Sequence, residues 1–251
     1  MGMPIGVDVR DAYVDPATLD RAFDWLRRVD ATFSTYREDS EISRLNRGDL
    51  ALEDAHPDVQ AVLARCAALR EETAGYFDIG VALLSQWERV GDVALRLGAV
   101  DPSGLVKGWA VERAAALLEE AGARNYAINA GGDIRVRGRG APAPYWRVGI
   151  QHPLLGDRIA AVVTATDLAI ATSGAYARGA HIIDPHSGQP PDGILSVTIT
   201  GPDLGTADAY ATAAFAMGTA GPDWTARLVG YQAMTILTDE TVLSTPGFPA
   251  P

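Results

Sequence analysis

Residues 101–133 read DPSGLVKGWAVERAAALLEEAGARNYAINAGGD, and the order of features in them decides the fold. Asp101-Pro102-Ser103-Gly104 reads as a tight polar turn, because proline fixes φ and glycine admits positive φ. Lys107 and Gly108 follow directly. Trp109 to Ala121 is rich in alanine and leucine and therefore has high helix propensity, and Gly122 is placed to end it as the C′ residue. Tyr126 to Ala130 is an apolar run of strand character that leads into Gly131-Gly132-Asp133. A glycine-bearing loop before a helix presents free N–H groups to an anion, and Lys107 adds a positive charge. The spacing GxxKG differs from the phosphate loop GxxxxGK[ST]. Two readings stay open at this point, a helix with a well-made start and stop or a phosphate-binding helix N-terminus.

Outward from this stretch, the first half of the chain is helical and the second half is β. Val7 to Val9 fits a first strand. Ala17 to Phe33 is amphipathic, with Leu19, Ala22, Phe23, Leu26 and Val29 on one side, and Asp58 to Glu72 reads as a second helix. Between them lies FSTYREDSEISRLNRG, where Ser40 to Ser43 can begin a short helix and Tyr36 stands as one aromatic in a polar loop, a position that invites a stacking partner. In TAGYFDIG, Asp78 sits between Phe77 and Ile79, so it needs either a cap or a ligand to satisfy it. After Asp133 the runs DIRVRG, YWRVGIQ, IAAVVTAT, LAIAT, HIID, ILSVTIT and AMTILT are short, β-branched and separated by turn residues. Helices are expected over Thr206 to Met217 and Asp223 to Val229, the latter introduced by Pro222. No repeat, low-complexity tract or linker divides the 251 residues, so residues 1–251 are expected to form one α+β domain.

Composition narrows the function. No apolar run approaches the roughly 20 residues that span a bilayer, which argues against membrane insertion. The N-terminus MGMPIGVDVR lacks a signal-peptide pattern, so a cytoplasmic location is expected unless a leader has been removed. The net charge of −11 argues against binding nucleic acid and fits a site for a cation. Cys66, the single cysteine, falls on the apolar face of its helix with Val59, Val62, Leu63 and Leu69 and reads as core.

Two constellations could carry chemistry. Asp208 and Thr212 are four apart in GTADAYATAAFAMG, which puts both oxygens on one helix face, suitable for a hard cation such as Mg²⁺. The plain alternative is an Asp in the first helical turn and a Thr bonding back to its own chain. In ATSGAYARGAHIIDPHSGQPPDG, a strand over HIID would put His181 and Ile183 on one face, and His181 could act as a base or be structural.

Taken together, these motifs resemble the ApbE family, the FAD:protein FMN transferases. The resemblance is carried by MGMPIGVDV, FSTYREDSEISRLN, GYFDIGVALLSQW, DPSGLVKGWAVERAA, NAGGDI, ATSGAY with HIIDPHSGQP, and TADAYATAAFAMG, in this order over nearly the whole chain. It implies an α+β fold related to the T-fold, with antiparallel sheets, helices on one face, and FAD in a cleft between the halves, its diphosphate bridged by Mg²⁺. By position it implies that Tyr36 stacks on the flavin nucleotide. Met1, Tyr76, Phe77, Asp78, Asp101, Lys107, Ser173 and Ile183 would contact FAD. Asp208, Thr212 and the main-chain carbonyl of Gly104 would hold the metal, and His181 would transfer a proton. The implied activity moves FMN from FAD to a Thr or Ser hydroxyl of an acceptor flavoprotein bearing a short flavinylation motif. Hydrolysis of FAD to FMN and AMP, or FAD storage without turnover, are the alternatives. The chain departs from the family's usual DLGGIAKG, with DPSGLVKG, and from DPTVGPL, with DIGVALL, and it is shorter between Trp87 and Asp101.

Overall fold

The computed structural model describes residues 2–80, 87–90, 93–96, 99–175 and 182–249. The expectations for Met1 and His181 lie outside these residues. Six helical stretches were expected, and most starts are explained by a cap or an entering proline. α1 (Pro16–Phe33) begins where Asp15 accepts the Ala17 N–H at 3.0 Å, with proline in the first turn. α2 (Glu41–Arg47) is capped by Ser40, which accepts from the Ser43 N–H, and ends at Gly48 in the left-handed region, φ 76°. α3 (Pro57–Glu72) carries Val59, Val62, Leu63, Cys66 and Leu69 into the core, as their spacing implies.

α4 (Ser103–Glu120) corrects the reading of the central stretch. The helix starts at Ser103, not Trp109, so Gly104, Lys107 and Gly108 are helical rather than part of a loop. The Asp101 carboxylate accepts the Ser103 N–H at 3.0 Å and so starts the helix two residues later, while Leu105 and Val106 repay the early start by burial. Gly122 does follow the helix with φ 93°. α5 (Leu204–Ala216) is buried nearly all round, which its alanines allow. α6 (Gly221–Thr225) is shorter than expected, ending in a turn before Val229.

The main sheet has seven strands in the order β1-β4-β5-β8-β9-β10-β11. They are β1 (Ile5–Val9), β4 (Tyr126–Ala130), β5 (Asp133–Arg137), β8 (Asp167–Gly174), β9 (Ile194–Gly201), β10 (Gln232–Leu237) and β11 (Val242–Ser244). All their pairings are antiparallel. β2 (Trp87–Val90) pairs with β3 (Val93–Arg96), and β6 (Trp146–Gln151) with β7 (Ile159–Ala165). HIID supplies no strand among its described residues, Ile182 to Asp184. Pro185 follows, the Asp184 carboxylate accepts the His186 N–H, and the segment turns.

The helices gather on one face of the sheet. There Trp25, Val29, Val62, Leu69, Val111 and Leu118 share one apolar core with Ile128, Val197 and Ile199 of the strands. The β6–β7 hairpin covers the other face through Val148, Ile150 and Val163, which meet Val136, Ile170, Met234 and Ile236. α5 touches α4 on one side and β8 and β9 on the other. Among the described residues no helix is long and apolar enough to cross a membrane.

Candidate active site

α4 and α5 cross closely because the crossing point is glycine on both sides. A Cβ on Gly108 would lie 2.4 Å from the Leu204 carbonyl oxygen and 2.7 Å from the Gly205 Cα. That contact brings the start of α4 against the first turns of α5. A Cβ on Gly104 would come within 3.6 Å of Thr212 Oγ1 and 3.2 Å of the Phe77 ring. The second glycine of GxxKG therefore serves helix packing, not an anion.

Three buried ionisable groups meet beside this crossing. Lys107 extends from α4 and forms a close ion pair with Asp133 Oδ2 at the start of β5. Its ammonium is 3.4 Å from Asp208 Oδ1 on α5. Asp133 Oδ1 accepts the Thr172 N–H of β8 at 3.0 Å, which fixes that carboxylate. Asp208 Oδ2 is buried and has no hydrogen-bond partner among the described residues. Burial pushes the Asp208 carboxyl well above the usual carboxylate range, Lys107 opposing and Asp133 reinforcing the rise. For Lys107, burial acts to lower the ammonium pKa, but Asp208 and then Asp133 outweigh it and hold it above the usual lysine value.

Lys107 and Asp208 lie on the floor of a cleft of about 1060 Å³, with Asp133 behind them. The cleft is lined on one side by α1, the Phe33–Tyr36 loop, the Tyr76–Ile79 turn and α4. Also lining it are β5, β6, β8, and Ile182, Ile183 and Pro185. Every described residue that the sequence nominated lines it: Tyr36, Tyr76, Phe77, Asp78, Asp101, Gly104, Lys107, Ser173, Ile183, Asp208 and Thr212. Tyr36 is 97% exposed at the mouth. Phe77 is buried, its ring close to Gly104. Asp78 is satisfied within the protein, its Oδ1 accepting the Gly80 N–H at 2.8 Å and its Oδ2 lying 3.3 Å from Arg70 Nε. Tyr76 meets the His186 ring edge-on at 4.5 Å between centroids, so His186 braces the rim. Ser173 Oγ lies 3.5 Å from Thr212 Oγ1.

Two residues were missed by the sequence reading. Asp133 was taken as the end of a turn; its signal was a carboxylate opening a strand of inward-facing residues, where burial demands a partner. Asn46 clamps the segment that leads into α4, donating to the Val100 carbonyl at 3.0 Å and accepting its N–H at 2.7 Å. A polar residue late in an amphipathic helix carries no such signal.

The ApbE family profile matches residues 1–96 and 86–235. This chain belongs to the ApbE family. A FAD:protein FMN transferase of Vibrio cholerae is 31% identical over 249 residues, covering 81% of this chain and 75% of that protein. One from Haemophilus influenzae is 28% identical over 243 residues, covering 77% and 70%. In three dimensions the flavin transferase ApbE from Vibrio cholerae superposes with a TM-score of 0.84 at 25% identity, covering 99% of this chain and 95% of that one. The ApbE protein of Thermotoga maritima shares the fold, with a TM-score of 0.82 at 24% identity, covering 98% and 94%. The expected α+β architecture with helices on one face is thus that of the ApbE flavin transferases.

Proposed function

We propose that this protein is an FAD:protein FMN transferase that moves FMN from FAD to a Ser or Thr hydroxyl of an acceptor flavoprotein and releases AMP. The acceptor oxygen forms a bond to the FMN phosphorus as the pyrophosphate P–O bond to AMP breaks, and the hydroxyl proton passes to a base. The observation that carries this reading is the placement of Lys107, Asp208 and Thr212 together on the floor of one large cleft in an ApbE-family chain.

The residues present fit a divalent cation. Asp208 leaves one buried carboxylate oxygen without a partner, and the Thr212 hydroxyl and Gly104 backbone stand beside each other. All these donors are hard oxygens, as Mg²⁺ requires. Among the described residues no cluster of three or more His, Cys, Asp or Glu side chains could hold a metal. When bound, Mg²⁺ supplies charge compensation for the diphosphate.

The chain's own groups do the rest. Lys107 adds a fixed positive charge at the cleft floor, where the low dielectric strengthens its hold on phosphate oxygens. Tyr36 offers a free aromatic face to the flavin at the mouth, with Tyr76 and Ile183 lining the walls. Asp101, exposed at the cleft beside the α4 start, is placed to contact the nucleotide, and Ser173 to contact the phosphates. His181 is assigned as the proton acceptor for the hydroxyl, by the resemblance alone.

The test incubates the protein with FAD, Mg²⁺ and an acceptor flavoprotein carrying a Ser/Thr motif, then follows flavin by gel fluorescence and mass. Covalent FMN on the acceptor together with AMP is expected. Free FMN and AMP with the acceptor unmodified would make the protein an FAD pyrophosphatase, and unchanged FAD would make it a carrier.

A further inference from the structure

We propose that Asp133 is a positioning residue that holds the Lys107 ammonium off Asp208, leaving the Asp208 carboxylate free for a divalent cation. The inference rests on the reading of Asp208 as a metal ligand and adds a residue behind it.

The geometry is unequal in an informative way. Lys107 sits between two buried carboxylates but leans on one: it is in close ion contact with Asp133 and 3.4 Å from Asp208. Asp133 is itself fixed, because its other oxygen accepts the Thr172 N–H in the middle of the sheet. It cannot swing toward the cleft without breaking that bond. Asp208 is farther from the ammonium, and its Oδ2 is buried and lacks any hydrogen-bond partner among the described residues. A buried lysine needs an anion. If Asp133 did not carry that role, Asp208 would be the remaining carboxylate paired with the ammonium among the described residues, and an entering cation would have to displace it. Asp133 thus divides the labour: it neutralises Lys107, and Asp208 keeps an open oxygen. It also ties the ammonium to the start of β5, on the sheet.

The test measures Mn²⁺ affinity in the absence of FAD by electron paramagnetic resonance, in the full-length protein. Asp133→Asn keeps the shape and the acceptor for Thr172, but removes the charge that holds Lys107. The expected loss is about tenfold or more, the scale on which groups behind metal ligands act. In a Lys107→Met background the same substitution should cost several-fold less, because no ammonium remains to compete. Equal losses in both backgrounds would mean that Asp133 attracts the ion only through space, which overturns the proposal. So would wild-type affinity in Asp133→Asn. If Asp133→Asn alone does not fold, the comparison between Lys107→Met and Lys107→Met/Asp133→Asn decides, a loss of tenfold or more there being the overturning result. Asp208→Ala separates the two layers of the argument. If it binds Mn²⁺ as wild type does, the metal reading itself falls. If it does not bind, and Asp133→Asn binds normally, only the role of Asp133 falls.

Discussion

Gly108 of α4 lies so close to Leu204 at the start of α5 that a single added methyl group would stand 2.4 Å from the Leu204 carbonyl oxygen. Helix propensity alone favours alanine over glycine by about 1 kcal/mol. The clash is with backbone, which cannot swing away, so the helices must part. Gly108→Ala should therefore destabilise the protein by about 1–3 kcal/mol, the usual cost of overpacking. It should also weaken FAD binding, since the crossing sets the distance between Lys107 and Asp208. Urea unfolding and a flavin fluorescence titration check the two effects, and a neutral or stabilising result would refute the packing argument.

Asp208→Ala should abolish flavin transfer while the apo-protein melts at the same temperature or higher. The substitution removes a carboxylate that is buried with one oxygen unsatisfied. Lys107 keeps Asp133 as its counterion, so the loss leaves no buried charge unpaired. Retained transfer with Mg²⁺ still required would exclude Asp208 as the ligand.

Tyr36→Ala should weaken FAD binding by about 1–3 kcal/mol, the worth of one aromatic stacked on a nucleotide ring. Stability should not change, because the side chain is 97% exposed and packs against nothing that would be lost. A titration matching wild type would mean that the ring faces solvent in the complex as well.

Protons should leave as the cation enters. Burial first, then Asp133, raise the Asp208 carboxyl from 3.8 to about 8, against the pull of Lys107. Between those values the folded metal-free protein holds a proton that the unfolded chain has lost, so its stability falls as pH rises through that window. Cation binding needs the carboxylate ionised, so affinity climbs over the same range. Calorimetric Mg²⁺ titrations at pH 7 in buffers of different ionisation enthalpy should show proton release. Identical heats in all buffers would refute it.

Cys66 should be inert to a thiol reagent in the native state and react only on unfolding. Burial pushes its thiol up to about 12 and leaves it 2% exposed in the α3 face. Rapid reaction in native buffer would show that α3 opens locally.

Much of this was legible in the chain because the signals were local. The α1 and α3 faces, the Ser40 cap, the Gly122 stop and the alternating strands depend on neighbours within one turn or one pleat. The start of α4 was misplaced for an equally physical reason. Pro102 and Gly104 are turn residues by propensity, but the Asp101 cap and the burial of Leu105 and Val106 outweigh them. HIID has strand composition, yet Pro185 and the Asp184 turn override it. In the site, the Asp208–Thr212 pair was readable as a helical spacing, whereas Lys107 with Asp133 was not. Their pairing exists only after β5 is laid beside β8 and α4 is folded over the sheet.

Those three groups come from α4, β5 and α5, so the site is complete only when elements about a hundred residues apart have folded together. Ligand binding is then coupled to the whole fold rather than to a loop. At a hundred times its dissociation constant, a ligand specific for the folded state adds about 2.7 kcal/mol to stability. The protein's lifetime against proteolysis should accordingly track the cell's supply of flavin nucleotide, so that the enzyme accumulates where its donor is plentiful and is cleared where it is scarce.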